Sequence, residues 1–367
     1  MKLVIAAPLY PPESGGPATY AHLLMTHLAE ADDKTSGEHT EITLVKFSDV
    51  RHMPKVIRHI AYFFNVLRAA RTGDVILALD PVSTGFPALL AARILKKPFV
   101  VKIVGDFAWE QGRQRFGITE SLDEFVRRGH VPFPVSFLRA IQTYVARRAT
   151  RIIVPSHYLE RILIMWGINP EKISVIYNSI EVQPQIGVQE NKNEIVTVAR
   201  LVPWKGISET IEATTIAQKE VPTVSLVIIG EGPDEVRLKK KGASFLGDAV
   251  SFTGVQSHEN TLRAMNTASV FVLNSAYEGL SHVLIEALHL GKVIVATDAG
   301  GNSELIQNDV NGILVPVGDT EALSKALVRA LTDESSRARF SARAKESSHR
   351  FTVPVMMSMT HELLSSL

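Results

Sequence analysis

Short apolar runs alternate along this chain with longer stretches in which apolar residues recur every three or four positions. The short runs are typical of buried β-strands, and the longer stretches predict helices that pack one face on a sheet. In the first half, strands are predicted at 2–7, 42–46, 74–79, 98–104, 151–155 and 173–177. In the second half, they are predicted at 194–199, 224–229, 250–254, 270–273 and 293–296. Strands that alternate with helices predict parallel sheets, so the chain is expected to hold two α/β domains.

The segment 274–301 has the sharpest local pattern. A predicted strand enters it, and a short loop then carries Glu278 and Gly279. Apolar residues at helical spacing follow, so a helix is predicted to begin near Leu280 or Ser281. The first N–H groups of a helix are unpaired and lie at the positive end of its dipole, which favours a bound phosphate. The loop before this helix is therefore a candidate anion site.

Two carboxylates flank that helix start. Glu278 precedes the first turn, and Glu286 lies eight positions later, a little over two helical turns. One carboxylate at the loop and one deeper in the helix can hold two separated hydroxyl groups of one ligand. On spacing alone, the alternative is a solvated glutamate at a helix start together with an ordinary surface glutamate.

A loop with two cations follows the strand predicted at 194–199. Arg200 and Lys205 lie five positions apart beyond the carboxyl end of that strand, where α/β proteins bind ligands. Arg offers a planar donor fork and Lys a mobile point charge, a combination that suits a diphosphate. A basic surface loop is the alternative, and the anion site predicted at the helix start favours the diphosphate.

Other predicted strand ends also carry candidate residues. Gly15 and Gly16 let the backbone approach a ligand closely, although a simple turn is the alternative. Gly230 and Gly232 follow a strand of the second half, and Gly232 adds conformational freedom there. Asp106 comes soon after a strand of the first half, where it is either part of a ligand site or the cap of the next helix.

Composition narrows the class of protein. The 367 residues are enough for two domains, and 46% hydrophobic with 21% charged residues is typical of a globular protein. A formal net charge of +1 argues against a dedicated nucleic-acid binder. Without cysteine the chain has no disulfide framework and no thiolate metal site, which fits the cytosol. No stretch approaches the roughly 18 apolar residues of a membrane-spanning helix.

Two segments of the first half are unusual. The helix predicted within 54–71 mixes Lys and Arg with aromatic and aliphatic residues. It either lies on an anionic membrane surface or packs in the core with its cations reaching solvent, and we favour the core helix. The segment 109–137 is basic and contains several Gly and Pro residues, so it is predicted to be irregular. Long loops in compact domains are usually functional or mobile, so we expect ligand contacts there.

One set of residues in the second half forms a recognisable signature. It consists of Tyr277, Glu278, Gly279, Ser281, Glu286, Ala287, Gly291, Gly300, Gly301 and Glu304, with Arg200, Lys205 and Gly206 upstream. This set closely resembles the donor-binding signature of glycosyltransferase family 4, whose members are retaining enzymes that use nucleotide sugars. The resemblance implies the GT-B fold, in which two Rossmann-like α/β domains with parallel sheets face a central cleft and a C-terminal helix crosses back to the first domain.

The implied domains follow the predicted elements. An N-terminal acceptor-side domain spans 1–181, and a nucleotide-sugar-binding domain spans 194–350. The segment 182–193 is polar and lacks periodicity, so it is predicted to be the linker between them. The crossover helix is expected within 351–367.

The resemblance also implies roles for the candidate residues. Glu286 would hold the ribose hydroxyls, and Glu278 the donor sugar. Arg200 and Lys205 would meet the charge of the diphosphate. The other implied donor contacts are Gly15, Gly16, Gly230, Gly232, Thr253, Gly279, Leu280 and Ser281. Where the family often has a His, this chain has Val104-Gly105-Asp106, so Asp106 joins Glu278, Arg200 and Lys205 as a candidate catalytic residue, near the acceptor.

These roles predict the transfer of a sugar from a nucleotide-diphosphate donor to an acceptor hydroxyl, with retention of configuration. The acceptor is expected to be a saccharide or lipid-linked saccharide, in glycan, polysaccharide or glycolipid synthesis, with contacts in 109–137. Because no Asp-x-Asp occurs, neither a metal ion nor another cofactor is expected. The expected location is the cytoplasm, at the inner face of the membrane if 54–71 contacts lipid. A nucleotide-sugar epimerase of the same fold and a non-catalytic nucleotide-sugar binding protein are the alternatives.

Overall fold

The computed structural model describes residues 1–13, 15–35, 40–181 and 190–367. The chain forms two compact units, one of Met1–Ser179 with Phe351–Leu367 and the other of Ile180–Arg350. Most of the predicted linker, 182–189, lies outside the described residues. Its last residues are not linker, because a strand already begins at Asn191.

The first unit contains a parallel sheet, as predicted. Its strands are β1 (Lys2–Ala7), β2 (Glu41–Lys46), β3 (Val75–Ala78), β4 (Phe99–Lys102), β5 (Arg151–Val154) and β6 (Ile173–Val175). Within the described residues the strand order is β2-β1-β3-β4-β5-β6, and every pair is parallel. β3 and β4 are buried along their whole length, which explains why their sequences are apolar apart from Lys102 at the end of β4.

The helices of the first unit correct one prediction. They are α1 (Gly16–Thr35), α2 (Lys55–Ala70), α3 (Gly85–Leu95), α4 (Phe107–Arg115), α5 (Leu122–Arg127), α6 (Phe133–Arg148) and α7 (His157–Met165). The prediction that 109–137 is irregular is wrong, because α4, α5 and the start of α6 occupy most of it. A capping box between Ser121 and Glu124 starts α5, and Pro134 lies in the first turn of α6, where proline is tolerated.

α2 is only partly a core helix. Tyr62, Val66 and Ala70 are buried, and the Tyr62 hydroxyl donates to the Val45 carbonyl oxygen at 2.9 Å. Four other apolar residues of the helix are exposed, namely Val56, Ile57, Ile60 and Phe64. The interpretation of α2 as a core helix is therefore wrong for its outer side, where apolar side chains as well as cations face solvent.

The second unit contains another parallel sheet. Its strands are β7 (Asn191–Val198), β8 (Ser225–Ile229), β9 (Val250–Gly254), β10 (Ala268–Leu273), β11 (Val293–Thr297) and β12 (Ile313–Val315). Within the described residues the order is β12-β11-β10-β7-β8-β9. The chain builds outward from β7 in one direction and then from β10 in the other, so the order reverses between these two neighbours. Ligands of open α/β sheets bind beyond the strand ends at such a switch point.

The helices of the second unit pack around this sheet. They are α8 (Ile207–Ala217), α9 (Glu235–Leu246), α10 (His258–Thr267), α11 (His282–His289), α12 (Asn302–Leu305), α13 (Thr320–Thr332) and α14 (Glu334–Ser348). α11 begins one residue after the predicted start and ends before Gly291, whose φ of +65° suits a helix stop.

The last helix, α15 (Val353–Ser365), returns to the first unit, as predicted. It packs against α1 and buries Met356, Met357 and Leu364 in the core of that unit. The Phe351 ring stands edge-on to the Tyr177 ring, with 5.3 Å between their centroids. Across the described ranges we find no helix with the length and apolar character needed to cross a bilayer.

Candidate functional site

The switch point of the second unit brings two predicted site loops together. One loop follows β7 and the other follows β10, and these strands are hydrogen-bonded neighbours. The Ala276 amide donates to the Trp204 carbonyl oxygen at 2.8 Å, and the Asn274 side-chain amide donates to the Gly206 carbonyl oxygen at 3.0 Å. These bonds fix the loop of Lys205 against the loop that leads to α11.

Gly206 is what allows this close approach. Its φ is +63°, and a Cβ placed on it would lie 2.0 Å from the Asn274 carbonyl oxygen. A residue with a side chain would be strained by its backbone and would push the two loops apart. The sequence signature contained Gly206, and this contact is its physical reason.

A third loop holds the backbone of Glu278. The Gly301 amide donates to the Glu278 carbonyl oxygen at 2.9 Å. Gly300 has a φ of +57°, and a Cβ there would lie 2.0 Å from the same oxygen. Loops from the ends of β7, β10 and β11 thus meet around Glu278.

The side chains of Lys205 and Glu278 form an ion pair. The Lys205 Nζ lies 2.5 Å from Glu278 Oε1, and the side chains are only 21% and 12% exposed. The sequence assigned these residues to different parts of a ligand, the diphosphate and the sugar, and did not predict that they would bind each other. The pair places a positive and a negative group within one polar site beside the start of α11.

Arg200 is not drawn into this pair. It is exposed, and within the described ranges its guanidinium group takes part in no ion pair. The backbone beside it is fixed, since the Leu201 amide donates to the Glu231 carbonyl oxygen at 2.8 Å. Its assignment to the diphosphate stays a prediction.

The first turn of α11 is capped by its own sequence. The Ser281 hydroxyl accepts a hydrogen bond from the Leu284 amide at 3.3 Å, so Ser281 is the N-cap. Both Leu280 and Ser281 are buried. The chain between Glu278 and the helix, including Gly279, is thereby held at the positive end of the helix dipole.

Glu286 lies on the buried side of α11. Its side chain is 9% exposed, and its Oε1 lies 3.7 Å from Nδ1 of His258 at the start of α10. Burial raises the pKa of Glu286 to about 7, because the ionised carboxylate loses solvation there. Sequence reasoning missed His258, which stands alone in a polar stretch and gave no motif signal.

The glycines after β8 set the neighbouring loop. A Cβ on Gly230 would lie 2.0 Å from the Ala199 carbonyl oxygen, and one on Gly232 would lie 2.3 Å from the Leu201 carbonyl oxygen. The loop after β8 therefore packs closely against the backbone on both sides of Arg200. Thr253, at the end of the edge strand β9, is exposed, and its hydroxyl is 3.3 Å from the carbonyl oxygen of Gly254.

The predicted residues of the first unit lie at two strand ends. Gly15 has a φ of +134° and precedes α1, which Gly16 begins. The Gly15 carbonyl oxygen accepts from the Ala18 amide at 2.9 Å, so this segment forms the first turn of a helix. A contact of these glycines with a donor stays a prediction.

Asp106 makes the contacts of a helix cap. Its Oδ1 accepts hydrogen bonds of 2.9 Å from the Trp109 amide and from the Gln142 side chain. The side chain is buried, and burial raises its pKa. This is the capping alternative considered from the sequence, and nothing in these contacts assigns Asp106 to an acceptor.

Lys102 is a buried cation that sequence reasoning passed over. Its Nζ lies 3.8 Å from the centroid of the Tyr20 ring, and burial lowers its pKa to about 7. The signal was present as one lysine at the end of an otherwise apolar strand. Among all the residues that the structure describes, no three His, Cys, Asp or Glu side chains are grouped so that they could hold a metal ion.

Comparison with known proteins identifies the family. A model described as a glycosyl transferase 4-like domain matches residues 15–179, and one described as glycosyl transferases group 1 matches residues 178–347. The two matches together cover most of both units, including every candidate residue discussed above. The chain is a GT4-like glycosyltransferase with the GT-B fold, which confirms the family and fold predicted from its sequence.

Individual relatives are distant. An uncharacterized glycosyltransferase of Methanocaldococcus jannaschii is 25% identical over 219 residues, 56% of this chain and 56% of that protein. The amylovoran biosynthesis glycosyltransferase AmsK of Erwinia amylovora is 34% identical over 170 residues, 44% of this chain and 40% of AmsK. The chain thus spans about half the length of these two relatives. The solved structure of Anabaena HepE with UDP-glucose has a TM-score of 0.76 at 22% identity over 100% of both chains, which shows a shared fold.

Proposed function

We propose that this glycosyltransferase moves a sugar, with retention of configuration, from a nucleotide-diphosphate donor to a hydroxyl of a saccharide or lipid-linked saccharide. The observation that carries the proposal is the Lys205–Glu278 ion pair beside the start of α11, at the switch point of the second sheet. HepE, which has the same fold, was solved with UDP-glucose, and AmsK acts in amylovoran biosynthesis. Both support a nucleotide-sugar donor and a glycan product.

The cations of the site would stabilise the leaving group. As the bond to the sugar breaks, negative charge grows on the diphosphate, and fixed donors that face this charge lower the barrier. Lys205 is fixed by its partly buried position, and the α11 terminus adds a positive dipole end. Arg200, on the same loop as Lys205, is exposed and supplies a planar donor fork.

The carboxylates would divide the rest of the donor between them. Glu278 lies at the mouth of the helix beside Lys205 and would hold hydroxyl groups of the sugar. Glu286 lies deeper in α11 and would hold the ribose hydroxyls. The ion pair adds a condition, because the diphosphate must share the Lys205 ammonium group with Glu278. Charge neutralisation by these cations makes a metal ion unnecessary in this proposal, and no other cofactor takes part.

Binding of the free nucleoside diphosphate tests this division. Glu286→Gln should weaken its binding, because the ribose contact exists without the sugar. Glu278→Gln should not weaken it, because the sugar is absent and the competing carboxylate has been removed. Transfer should fall sharply in Glu278→Gln, since the lost contact acts on the reacting sugar.

Calorimetric titration of both variants, beside transfer rates, makes the comparison. Glu259→Gln is the matched control, because that side chain is 74% exposed and lies one residue after His258. Equal weakening of diphosphate binding in the two variants would disprove the division of roles. Donor turnover without any acceptor would favour an epimerase, and tight donor binding without turnover would favour a binding protein.

A further inference from the structure

Three helices of the first unit carry basic residues and no acidic ones. The sequences of α2, α3 and α6 contain neither Asp nor Glu. Their exposed cations, with those that follow them directly, are Arg68, Arg71, Arg93, Lys96, Arg147 and Arg148. The whole chain has a formal net charge of only +1, so this concentration of positive charge is local.

These helices lie side by side on the same face of the sheet. The crossovers from β2 to β3, β3 to β4 and β4 to β5 all step in one direction, whereas β1 to β2 steps in the other. Right-handed crossovers therefore place α2, α3 and α6 opposite α1. α2 packs on α3, and α3 packs on α6. The Arg93 guanidinium on α3 donates to the Tyr144 hydroxyl on α6 at 2.9 Å, which joins those two helices.

Large apolar side chains stand out from the same helices. On α2, Val56 is 73% exposed and Phe64 is 59% exposed, with Ile57 and Ile60 between them also exposed. Ile94 on α3 and Phe133 and Phe137 on α6 are also exposed. Positions 56, 60 and 64, like 133 and 137, are four apart, so they line up along one side of each helix. We call this surface of cations and apolar residues the α2–α3–α6 face.

We propose that the α2–α3–α6 face binds the surface of a bilayer that contains anionic lipids. Isolated apolar side chains that project from a helix lying on the surface can enter the boundary between headgroups and acyl chains. Neighbouring Lys and Arg side chains are attracted by the negative potential of the lipid phosphates. The structure thus favours the membrane alternative for α2 and extends it to two further helices. This proposal does not depend on the sugar-transfer reaction.

Charge argues for a bilayer over a second copy of this chain. A symmetric dimer through this face would bring the same cations of both copies together, with no carboxylate on these helices to pair with them. An anionic lipid surface is complementary to every exposed charge of the three helices. A contact between copies is therefore the competing outcome of the test.

The experiment measures binding of the full chain to vesicles by co-sedimentation. Vesicles of phosphatidylcholine mixed with phosphatidylglycerol should bind the wild-type chain, and vesicles of phosphatidylcholine alone should bind it much less. Binding to the mixed vesicles should weaken as salt is added, because the cations are exposed. Val56→Asp and Phe64→Asp should each lower the affinity for mixed vesicles by about tenfold or more, and Arg68→Glu should lower it further at low salt than at high salt.

Val236→Asp is the matched control. Val236 is 83% exposed and is the second residue of α9, as Val56 is the second residue of α2. The Val236→Asp substitution makes the same change in charge and shape in the second unit, so vesicle binding of this variant should equal that of the wild type. Because both valines face solvent, neither variant should lower the melting temperature, which checks that the variants are folded.

Three results would overturn the proposal. The first is equal vesicle binding by Val56→Asp and Val236→Asp. The second is equal binding of the wild type to vesicles with and without phosphatidylglycerol. The third is a dimer, seen by sedimentation velocity without lipid, that Phe64→Asp dissociates, which would assign the face to contact between copies.

Discussion

Glu286→Gln should stabilise the protein at alkaline pH and leave its stability unchanged in acid. Burial raises the pKa of Glu286 from 4.5 to about 7. Between these two values the folded chain holds a proton that the unfolded chain releases, so wild-type stability falls as pH rises through this range. Above pH 7 the folded chain bears the full cost of a buried carboxylate, which the neutral amide of Gln avoids. A pKa near 7 in place of 4.5 corresponds to about 3 kcal/mol.

The assay is thermal unfolding of wild type and variant at pH 4.5 and pH 8. In a unit of this size, 3 kcal/mol corresponds to roughly 6–12 °C in melting temperature at pH 8, as an upper bound. Glu259→Gln, which changes an exposed side chain, should shift the melting temperature little at either pH.

The reasoning would be refuted by a Glu286→Gln variant that is no more stable than the wild type at pH 8. A stabilisation of the same size at both pH values would also refute it, because titration of Glu286 would then not be its cause. If the variant is more stable and also binds nucleoside diphosphate less well, the buried carboxylate is kept at a cost in stability for its contact with the ligand.

Other variants test the remaining parts of the site. Arg200→Ala and Lys205→Ala should each reduce transfer on the order of a hundredfold, or about 3 kcal/mol, and activity within a few-fold of wild type in both would remove the diphosphate assignment. Transfer should survive excess EDTA, and a loss restored by magnesium or manganese would contradict this. Gly206→Ala should lower stability by more than about 1 kcal/mol in denaturant unfolding, since its φ is +63°. Lys102→Met should raise the melting temperature most at pH 7 and below, where the buried ammonium group is charged, and the gain should shrink as pH rises towards 10.5.

The elements of the fold were predictable because burial shapes their sequences. β1 was predicted at its observed bounds, since its run of apolar residues is buried from Leu3 onward. The segment 109–137 was mispredicted because its Gly and Pro residues were interpreted as loop formers. Gly112 instead lies inside α4, where a Cβ would come within 2.8 Å of Ile118. A glycine at position 112 therefore lets α4 pack closely against Ile118, and no local sequence pattern reveals that contact.

Contacts between loops were beyond the reach of the sequence. Spacing placed Lys205 and Glu278 at the ends of two strands but not in one ion pair, because the order of strands in the sheet decides which loops meet. The same limit applies to His258, which reaches Glu286 from a different helix. For Asp106, the sequence fitted both a ligand site and a helix cap. The observed hydrogen bonds from Trp109 and Gln142 are those of a helix cap.

The ion pair of Lys205 and Glu278 is compatible with roles for both residues in one reaction. A lone ammonium group at this position would bind the diphosphate more strongly as its negative charge grows, and would therefore slow the release of the product. Glu278 offsets part of the ammonium charge, so it weakens the hold on the free diphosphate, whose negative charge is greatest after the sugar has left. One oxygen of the Glu278 carboxylate lies 2.5 Å from the ammonium group, and its second oxygen remains able to accept hydrogen bonds from hydroxyl groups of the sugar. On this argument Glu278→Gln should bind the nucleoside diphosphate product more tightly and release it more slowly, and stopped-flow displacement of the product would measure both.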